Sequence, residues 1–523
     1  MELTKHPDRD FVLRLVDGLR NGFFTGIDIP PTVSFECPNN KSAKCQPDIV
    51  KNLIDAEVKK GYLVGPFQKP PFSTFRVSPL GVAEGTYSGK KRLIVDLSAP
   101  HNNDKHTSLN ALINKEDYSL TYVKLDDAIN GILERGRGSW LCKTDIVDAF
   151  KLVPIHPSLW HLYGVNWNGA YYFYTRLVFG SRSSPKIFDW LSQAVCWIAK
   201  HNYGIELIFH LLDDFLTIDY PSATAERTMA ILTMIFNRLR IPISLKKTVG
   251  PTTQLQYLGI ILDTNAMEGR LPLDKLDRIR GLLCQFESKQ SVSKRALLSL
   301  LGHLNFASRV IKPGRSFVSY LLALAASVKE LHHHVRLNVE CRLDLAMWLR
   351  FLTGWNGVAL FLDKEVTKAA DYALYTDASA TMGYGGFFQN RWFQAKWPPE
   401  LMLKDNKQLS MAFLELYPIV VSAMLWGSEW VGKKILFYCD NEATVHIINK
   451  GRSQAQPIMK LMRRLTWCAA RGNFIITAKH IPGVHNEIAD ALSRFQISRF
   501  RRLAPGATLR PCPCPTPAQV MWY

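Results

Sequence analysis

Two adjacent aspartates between two apolar runs constrain this chain more than any other feature: Ile208-Phe209-His210-Leu211-Leu212-Asp213-Asp214-Phe215-Leu216-Thr217-Ile218. Runs of this length, rich in Ile, Phe and Leu, read as buried strands. Asp213 and Asp214 then fall in the tight turn that joins them. Like charges at such range raise each other's pKa. A hard divalent cation with oxygen ligands, such as Mg²⁺, relieves that cost. Taken alone, the pair also fits a polar hairpin turn, where Asp is common.

Further acids lie upstream. In Trp140-Leu141-Cys142-Lys143-Thr144-Asp145-Ile146-Val147-Asp148-Ala149-Phe150 a strand ends near Asp145. Asp148 sits where a helix begins and fits an N-terminal helix carboxylate. Asp145, inside the apolar run, requires a partner if buried. Basic groups stand at a strand entrance in Ser88-Gly89-Lys90-Lys91-Arg92-Leu93-Ile94-Val95. They suit phosphates, or equally a solvated edge strand with charges that block aggregation. The aromatic strand over 171–174 leads into Phe179-Gly180-Ser181-Arg182-Ser183-Ser184-Pro185 and a helical pattern over 187–199. A small-residue loop before a helix permits close approach of a ligand. Other helical patterns cover 48–60, 223–239 and, with a break at Lys312-Pro313-Gly314-Arg315, 273–328.

A second acid set follows residue 370. Strands starting at Ala373 and Ile435 end in Asp377 and Asp440, with a glycine-punctuated meander over 382–397 between them. Glu415 lies on a helical pattern over 412–425, in which Pro418 is tolerable if the helix begins within a turn of it. A strand over 474–480 ends in His480, and a helix over 486–494 carries Asp490. Four acids at element ends and on a helix in an α/β pattern fit a two-metal phosphodiester site.

The net charge of +19 points to a polyanionic partner, most simply nucleic acid. Ten scattered cysteines without metal-ligand spacing fit a reducing compartment. The charged start Met1-Glu2-Leu3-Thr4-Lys5 does not fit a signal peptide. The apolar run over 320–328 is too short to span a bilayer, so no membrane partner is expected. The expected location is intracellular, cytoplasmic or nuclear, and not secreted.

Together these residues carry a family resemblance. The order Arg92, Asp145-Ile146-Val147-Asp148-Ala149-Phe150, Gly180, Ser184-Pro185, Leu211-Leu212-Asp213-Asp214 and Leu258-Gly259 resembles a reverse transcriptase. The set Asp377, Glu415, Asp440, His480 and Asp490 resembles ribonuclease H. Glu415-Leu416-Tyr417-Pro418-Ile419, Leu425-Trp426-Gly427 and Ala489-Asp490-Ala491-Leu492-Ser493-Arg494 are most similar to DIRS-type retrotransposons, with Gypsy-type elements second.

The resemblance implies an α+β multidomain chain: a right-hand polymerase of fingers, palm and helical thumb, followed by an α/β ribonuclease H-like domain. The expected divisions are an N-terminal extension at 1–64, fingers and palm at 65–265, thumb at 266–340, connection at 341–370, the ribonuclease H-like domain at 371–495, and a flexible basic Pro-rich tail at 496–523. It implies that Asp145, Asp213 and Asp214 hold the polymerase metals, and that Asp377, Glu415, Asp440 and Asp490 hold those that cut RNA. The cofactors would be two Mg²⁺ per site, with Mn²⁺ as a substitute. Lys91 and Arg92 match the basic groups over the triphosphate, and Phe150 the residue that crowds a 2′-hydroxyl. Gly180, Ser184 and Pro185 match the loop beneath template and nucleotide, Lys247 a lysine that protonates pyrophosphate, and His480 a histidine that assists product release. The implied partners are an RNA template, a DNA primer, the RNA–DNA hybrid and deoxynucleoside triphosphates. Five positions depart from the pattern: Leu211 for an aromatic, Phe179 for Gln, Ala83-Glu84 for Pro-Lys and Ser98 for Arg.

Overall fold

A computed structural model describes residues 2–521 except 86–88, 102–104, 355–357, 361–365, 369–370, 372–373, 403–408 and 454. Ser88, Ala373 and parts of the 341–370 connection therefore lie outside the described residues. The chain is mixed α/β and forms two compact units, Met1–Tyr257 and Leu258–Tyr523.

In the first unit, four antiparallel strands form a sheet in the order Val249–Thr252, Trp140–Asp145, Asp214–Asp219, Ile208–Leu211. The two middle strands are the apolar runs that end or begin in aspartate, so the sheet's centre is also where its acids lie. A second, five-stranded sheet has the order Phe35–Glu36, Arg76–Val77, Gly164–Trp167, Ala170–Tyr174, Leu63–Phe67. A third pair joins Leu80–Glu84 to Lys91–Val95. The 20-residue helix Ser184–Tyr203 buries Ile187, Phe188, Leu191, Val195 and Ile198. These join one apolar core with Ile146, Phe150, Phe215 and Phe236.

The first 64 residues are not an appendage to this unit. Leu15, Phe23, Val50 and Ile54 belong to the same core, and Leu63–Phe67 is an edge of the five-stranded sheet. Each such side chain contributes about 1.5–3 kcal/mol on burial, so helices Arg9–Asn21 and Pro47–Lys59 help hold the sheets together.

The second unit begins with the antiparallel strands Ile260–Asp263 and Glu268–Arg270, followed by helices Leu273–Glu287, Lys294–Ala307, Ser319–Ala326 and Val339–Gly354. It continues as an antiparallel meander, Tyr375–Ala378, Gly383–Phe388 and Arg391–Lys396. Three parallel strands follow in the order Val366–Lys368, Lys434–Cys439, Ile475–His480. Helix Met411–Trp426 is packed across the meander.

Three expectations are corrected here. Pro418 lies mid-helix, because the cap at Ser410, accepting from the Phe413 amide, starts the helix at Met411. An interior proline costs about 3 kcal/mol, which the burial of nearly every neighbouring apolar side chain offsets. An apolar stretch longer than 320–328 exists: among the described residues Met411–Trp430 alone is long and apolar enough by composition to cross a membrane; 78% of it is buried inside this unit, as a core helix would be. The segment after residue 495 is not a loose tail. It forms helices Ile497–Leu503 and Pro517–Met521, and Phe500 is fully buried against Phe387 and Trp392.

Candidate active sites

The first site is built by strand register. Asp145 and Asp214 are direct partners across antiparallel strands, and Leu211 pairs with Asp214 on the other side. Leu212 and Asp213 are left as a two-residue turn. Leu212 takes φ +55°, as the first residue of a II′-type hairpin turn does. For a non-glycine residue that conformation costs about 1–2 kcal/mol. Two hydrogen bonds hold it: the Ser192 hydroxyl donates to the Leu212 carbonyl at 2.8 Å, and the Ile146 amide to the Asp213 carbonyl at 3.1 Å. Ser192→Ala would leave that half-buried carbonyl short of a donor. It should lower stability by about 1–3 kcal/mol, measured as a shift of the thermal midpoint, with the turn loosened.

The carboxylates face lysines. Lys247 donates to both oxygens of buried Asp145, at 3.0 and 2.8 Å. It is placed by the 241–248 loop, whose Ser244 amide bonds the Asp145 carbonyl at 2.8 Å. Lys143 lies 3.4 Å from Asp214 Oδ1, an atom that is buried and lacks a hydrogen-bond partner. Burial raises the pKa of Asp213, and Asp214 and Asp145 raise it further. Burial also raises Asp214 against the pull of Lys143. For Lys247, burial works against the charge, but the bonds to Asp145 prevail and raise its pKa. Three acids crowded together and an orphaned carboxylate oxygen are a donor set that fits a divalent cation.

The nucleotide-binding candidates are only partly assembled with these acids. Gly180 has φ +106°, and a Cβ there would meet the Val95 carbonyl at 2.1 Å, so only glycine lets the loop lie against the Lys91–Val95 strand. Asn110 ties the loop down: its side chain donates to the Gly180 carbonyl at 2.8 Å and to Ser98 Oγ at 2.9 Å, and accepts from the Arg182 amide at 2.8 Å. Ser98, a departure from the family pattern, thus has a structural partner. Phe150 packs on Phe179 and Phe188 at the loop's flank. Ser184 and Pro185 open the long helix, with the Ser184 hydroxyl buried and without a partner. Lys91 is bonded to Gln46 at 2.6 Å, while Arg92 is exposed opposite Ala83. Glu84 faces Lys91 across the strands, an opposite-charge pair. Among the described residues no ion pair joins Lys91 or Arg92 to the three aspartates. Asp148, read as a helix-start carboxylate, caps nothing: it has φ +53°, and its side chain is taken by Lys60 and by Tyr62 at 3.3 Å.

The second site brings two of its acids together with a cysteine. Glu415, Cys439 and Asp440 have ligand atoms all within 4.8 Å of one another, a group that includes neither Asp377 nor Asp490. Burial pushes Glu415 up to about 9, and Asp377 and Asp440 add to the rise. Burial raises Asp377 to about 6, although the Ser493 hydroxyl, donating to it at 2.5 Å, pulls the other way. Burial and neighbouring acids oppose the charge of these carboxylates, a cost that a cation offsets, and oxygen donors suit a hard one. Asp490 stands apart. Partial burial opposes its charge, but bonds from Arg494 and Arg499 prevail and hold its pKa low. His480 is the parallel-strand partner of Cys439 and donates to the Asp440 carbonyl at 3.1 Å. Asn486, buried, donates to the Thr376 carbonyl at 2.8 Å and so pins the helix Glu487–Ser493 against the strand that carries Asp377.

Sequence reasoning missed Ser493, Asn486 and Arg499, and the whole helix Gln456–Gly472. That helix had signals: Pro457 at its start, Asn473 with φ +52° at its end, and apolar residues at helical spacing. The partners of Ser493 and Asn486 lie more than a hundred residues off, and Arg499, nine residues from Asp490, sits in a segment read as a tail, so no local pattern shows their roles.

No protein-family model matches the sequence. Over 191 residues, 36% of this chain, it is 26% identical to the Pro-Pol polyprotein of simian foamy virus type 1; the match spans 15% of that polyprotein. Among solved structures it is similar to the foamy viral protease-reverse transcriptase in complex with dsDNA, at 17% identity over 92% of this chain and 95% of that one, with a TM-score of 0.46. The same viral protein in complex with an RNA/DNA hybrid gives 17% identity over 91% and 62%, with a TM-score of 0.47. Its dRH form with dsDNA gives 16% over 87% and 73%, with a TM-score of 0.49. In sequence, the chain is similar to part of a retroviral polyprotein.

Proposed function

We propose that this chain is the reverse transcriptase–ribonuclease H segment of a retroelement. It copies element RNA into DNA by two-metal nucleotidyl transfer and cleaves the RNA of the resulting hybrid. One observation carries the reading: a single chain holds two separate acid clusters, each with buried carboxylates pushed above their usual range. The similarity to a foamy virus Pro-Pol polyprotein supports it, and the +19 charge suits nucleic acid. The motif details favour a DIRS-type element, with Gypsy-type second. The order of parts would be fingers, palm and thumb, then ribonuclease H.

Bound Mg²⁺, or Mn²⁺ in its place, would supply Lewis-acid activation of the attacking hydroxyl and neutralise phosphate charge at each site. Asp145, Asp213 and Asp214 would hold it at the first site, and Asp377, Glu415, Asp440 and Asp490 at the second. Lys247, released from Asp145, stands ready to give a proton to departing pyrophosphate. Arg92, with Lys91, meets the deoxynucleoside triphosphate's phosphates, and Gly180 lets the loop beneath template and nucleotide lie against the Lys91–Val95 strand. Phe150 crowds the sugar where a 2′-hydroxyl would sit. His480, at the edge of the second site, assists product exit. Its partners would be RNA template, DNA primer and hybrid, and its place of work the cytoplasm or nucleus, a reading with which ten cysteines scattered in sequence are consistent.

Primer extension on an RNA template with Mg²⁺, and cleavage of a labelled RNA–DNA hybrid, test this reading. Deoxynucleotide addition with RNA cleavage is expected. Absence of both would leave a nucleic-acid-binding relic, and equal use of ribonucleotides would point to an RNA polymerase instead. Phe150→Ala should erode sugar discrimination by up to about 10²-fold, read as the ratio of kcat/KM for deoxy- and ribonucleotides.

A further inference from the structure

We propose that Arg494 and Arg499 are positioning residues that aim Asp490 at the second metal centre, so that the segment beyond residue 495 is a working part of that centre. The inference rests on the metal-centre reading of Asp377, Glu415, Asp440 and Asp490 above. Arg494 Nε donates to Asp490 Oδ1 at 2.6 Å, and Arg499 Nη1 to Asp490 Oδ2 at 2.7 Å. Each carboxylate oxygen thus spends one acceptor position on an arginine and keeps another. A carboxylate gripped at both oxygens cannot rotate, whereas Asp490, a quarter exposed, would otherwise be free to do so.

Arg499 is placed by more than its own ion pair. It sits on helix Ile497–Leu503, one residue before fully buried Phe500. Phe500 is packed at 5.1 Å from Trp392 and 6.0 Å from Phe387. Trp392 in turn donates from its indole to the Thr508 carbonyl at 2.7 Å, and its own carbonyl accepts from the Cys512 amide at 2.7 Å. The chain from 497 to 512 therefore clasps the outer strand of the meander and fixes the arginine from a second direction. Next to it, Ser493 donates to Asp377. The two turns after Asn486 thus supply one candidate ligand and the hydrogen-bond donors that orient two.

Groups that orient metal ligands typically matter about 10–100-fold in metal affinity or activity. An exposed ion pair without such a role matters little. Mn²⁺ binding separates the two. The full chain carrying Asp213→Asn and Asp214→Asn, which removes ligands from the first site, is titrated with Mn²⁺ by calorimetry and electron paramagnetic resonance. Adding Arg499→Ala should weaken binding about 10–100-fold, with Arg499→Lys recovering part of it. In an otherwise wild-type chain, Arg499→Ala should slow hybrid cleavage and leave primer extension intact. Unchanged Mn²⁺ affinity, with or without a lower thermal midpoint, overturns the proposal; Arg499→Gln serves in place of any variant that fails to fold. Asp440→Asn in the same background distinguishes the two levels. If it abolishes Mn²⁺ binding while Arg499→Ala does not, only the positioning role falls. If it too changes nothing, the metal-centre reading itself fails.

Discussion

Asp213→Asn is expected to reduce primer extension by about 10³-fold while leaving the protein at least as stable as the wild type. Both halves follow from the same geometry. Asp213 lies in the turn beside Asp214, whose strand partner is Asp145. Burial and those two like charges all oppose its ionisation. An acid whose folded pKa is raised favours the folded state less as pH climbs past its ordinary range, so its charge costs stability at neutral pH. Asparagine keeps the shape, removes that cost and removes the ligand. Strained or self-repelling groups that persist in a fold commonly mark function held at the expense of stability. The check is a thermal midpoint measured beside an extension rate. A variant that loses activity and melts well below wild type would make Asp213 a structural residue. A stable variant with unchanged extension would remove it from the site.

How much of this could be read from the chain depends on distance in sequence. The hairpin was legible because its two strands and its acids are contiguous, and short continuous apolar runs mark them. That Asp145 is the strand partner of Asp214 is set by sheet register, which no local pattern carries. Lys247 reaches Asp145 across 102 residues; it was found only through a family resemblance. The segment after 495 was misread for a physical reason. Arginines and prolines dominate it, and such composition ordinarily means solvated chain. A single phenylalanine, Phe500, fills a pocket between Trp392 and Phe387 and reverses the outcome. Pro418 misled in the opposite way, because local rules place proline at helix starts and the burial of a whole apolar helix outweighs one lost hydrogen bond.

Arg463→Ala should destabilise the second unit by about 3–5 kcal/mol, with a deficit that grows as pH rises. Arg463 lies almost fully buried on helix Gln456–Gly472 and reaches two acids of helix Val339–Gly354: Glu340 at 2.9 Å and Asp344 at 3.0 Å. Asp344 is completely buried, and its second oxygen lacks a hydrogen-bond partner. The groups around it are Arg463, Glu340, Cys341 and, from helix Ser319–Ala326, Tyr320. Burial pushes Asp344 up to about 7 even though Arg463 pulls it down, with Glu340 adding to the rise. The ordinary value is about 3.9, so between the two the folded chain keeps a proton that the unfolded chain has released. The stabilisation from that proton is whole at low pH and is lost as pH rises through 7. Wild-type thermal midpoints should therefore drift down between roughly pH 4 and 7, the window those two values bound, and level off above it. Asp344→Asn, which cannot ionise, should flatten that part of the slope. Without Arg463 the neutral acid is tolerated at low pH, whereas the ionised one is buried unpaired at high pH, which is why the Arg463→Ala deficit widens. Parallel slopes for wild type and Asp344→Asn would show that Asp344 ionises as freely in the fold as outside it. The two helices would then be joined by packing rather than by this buried triad.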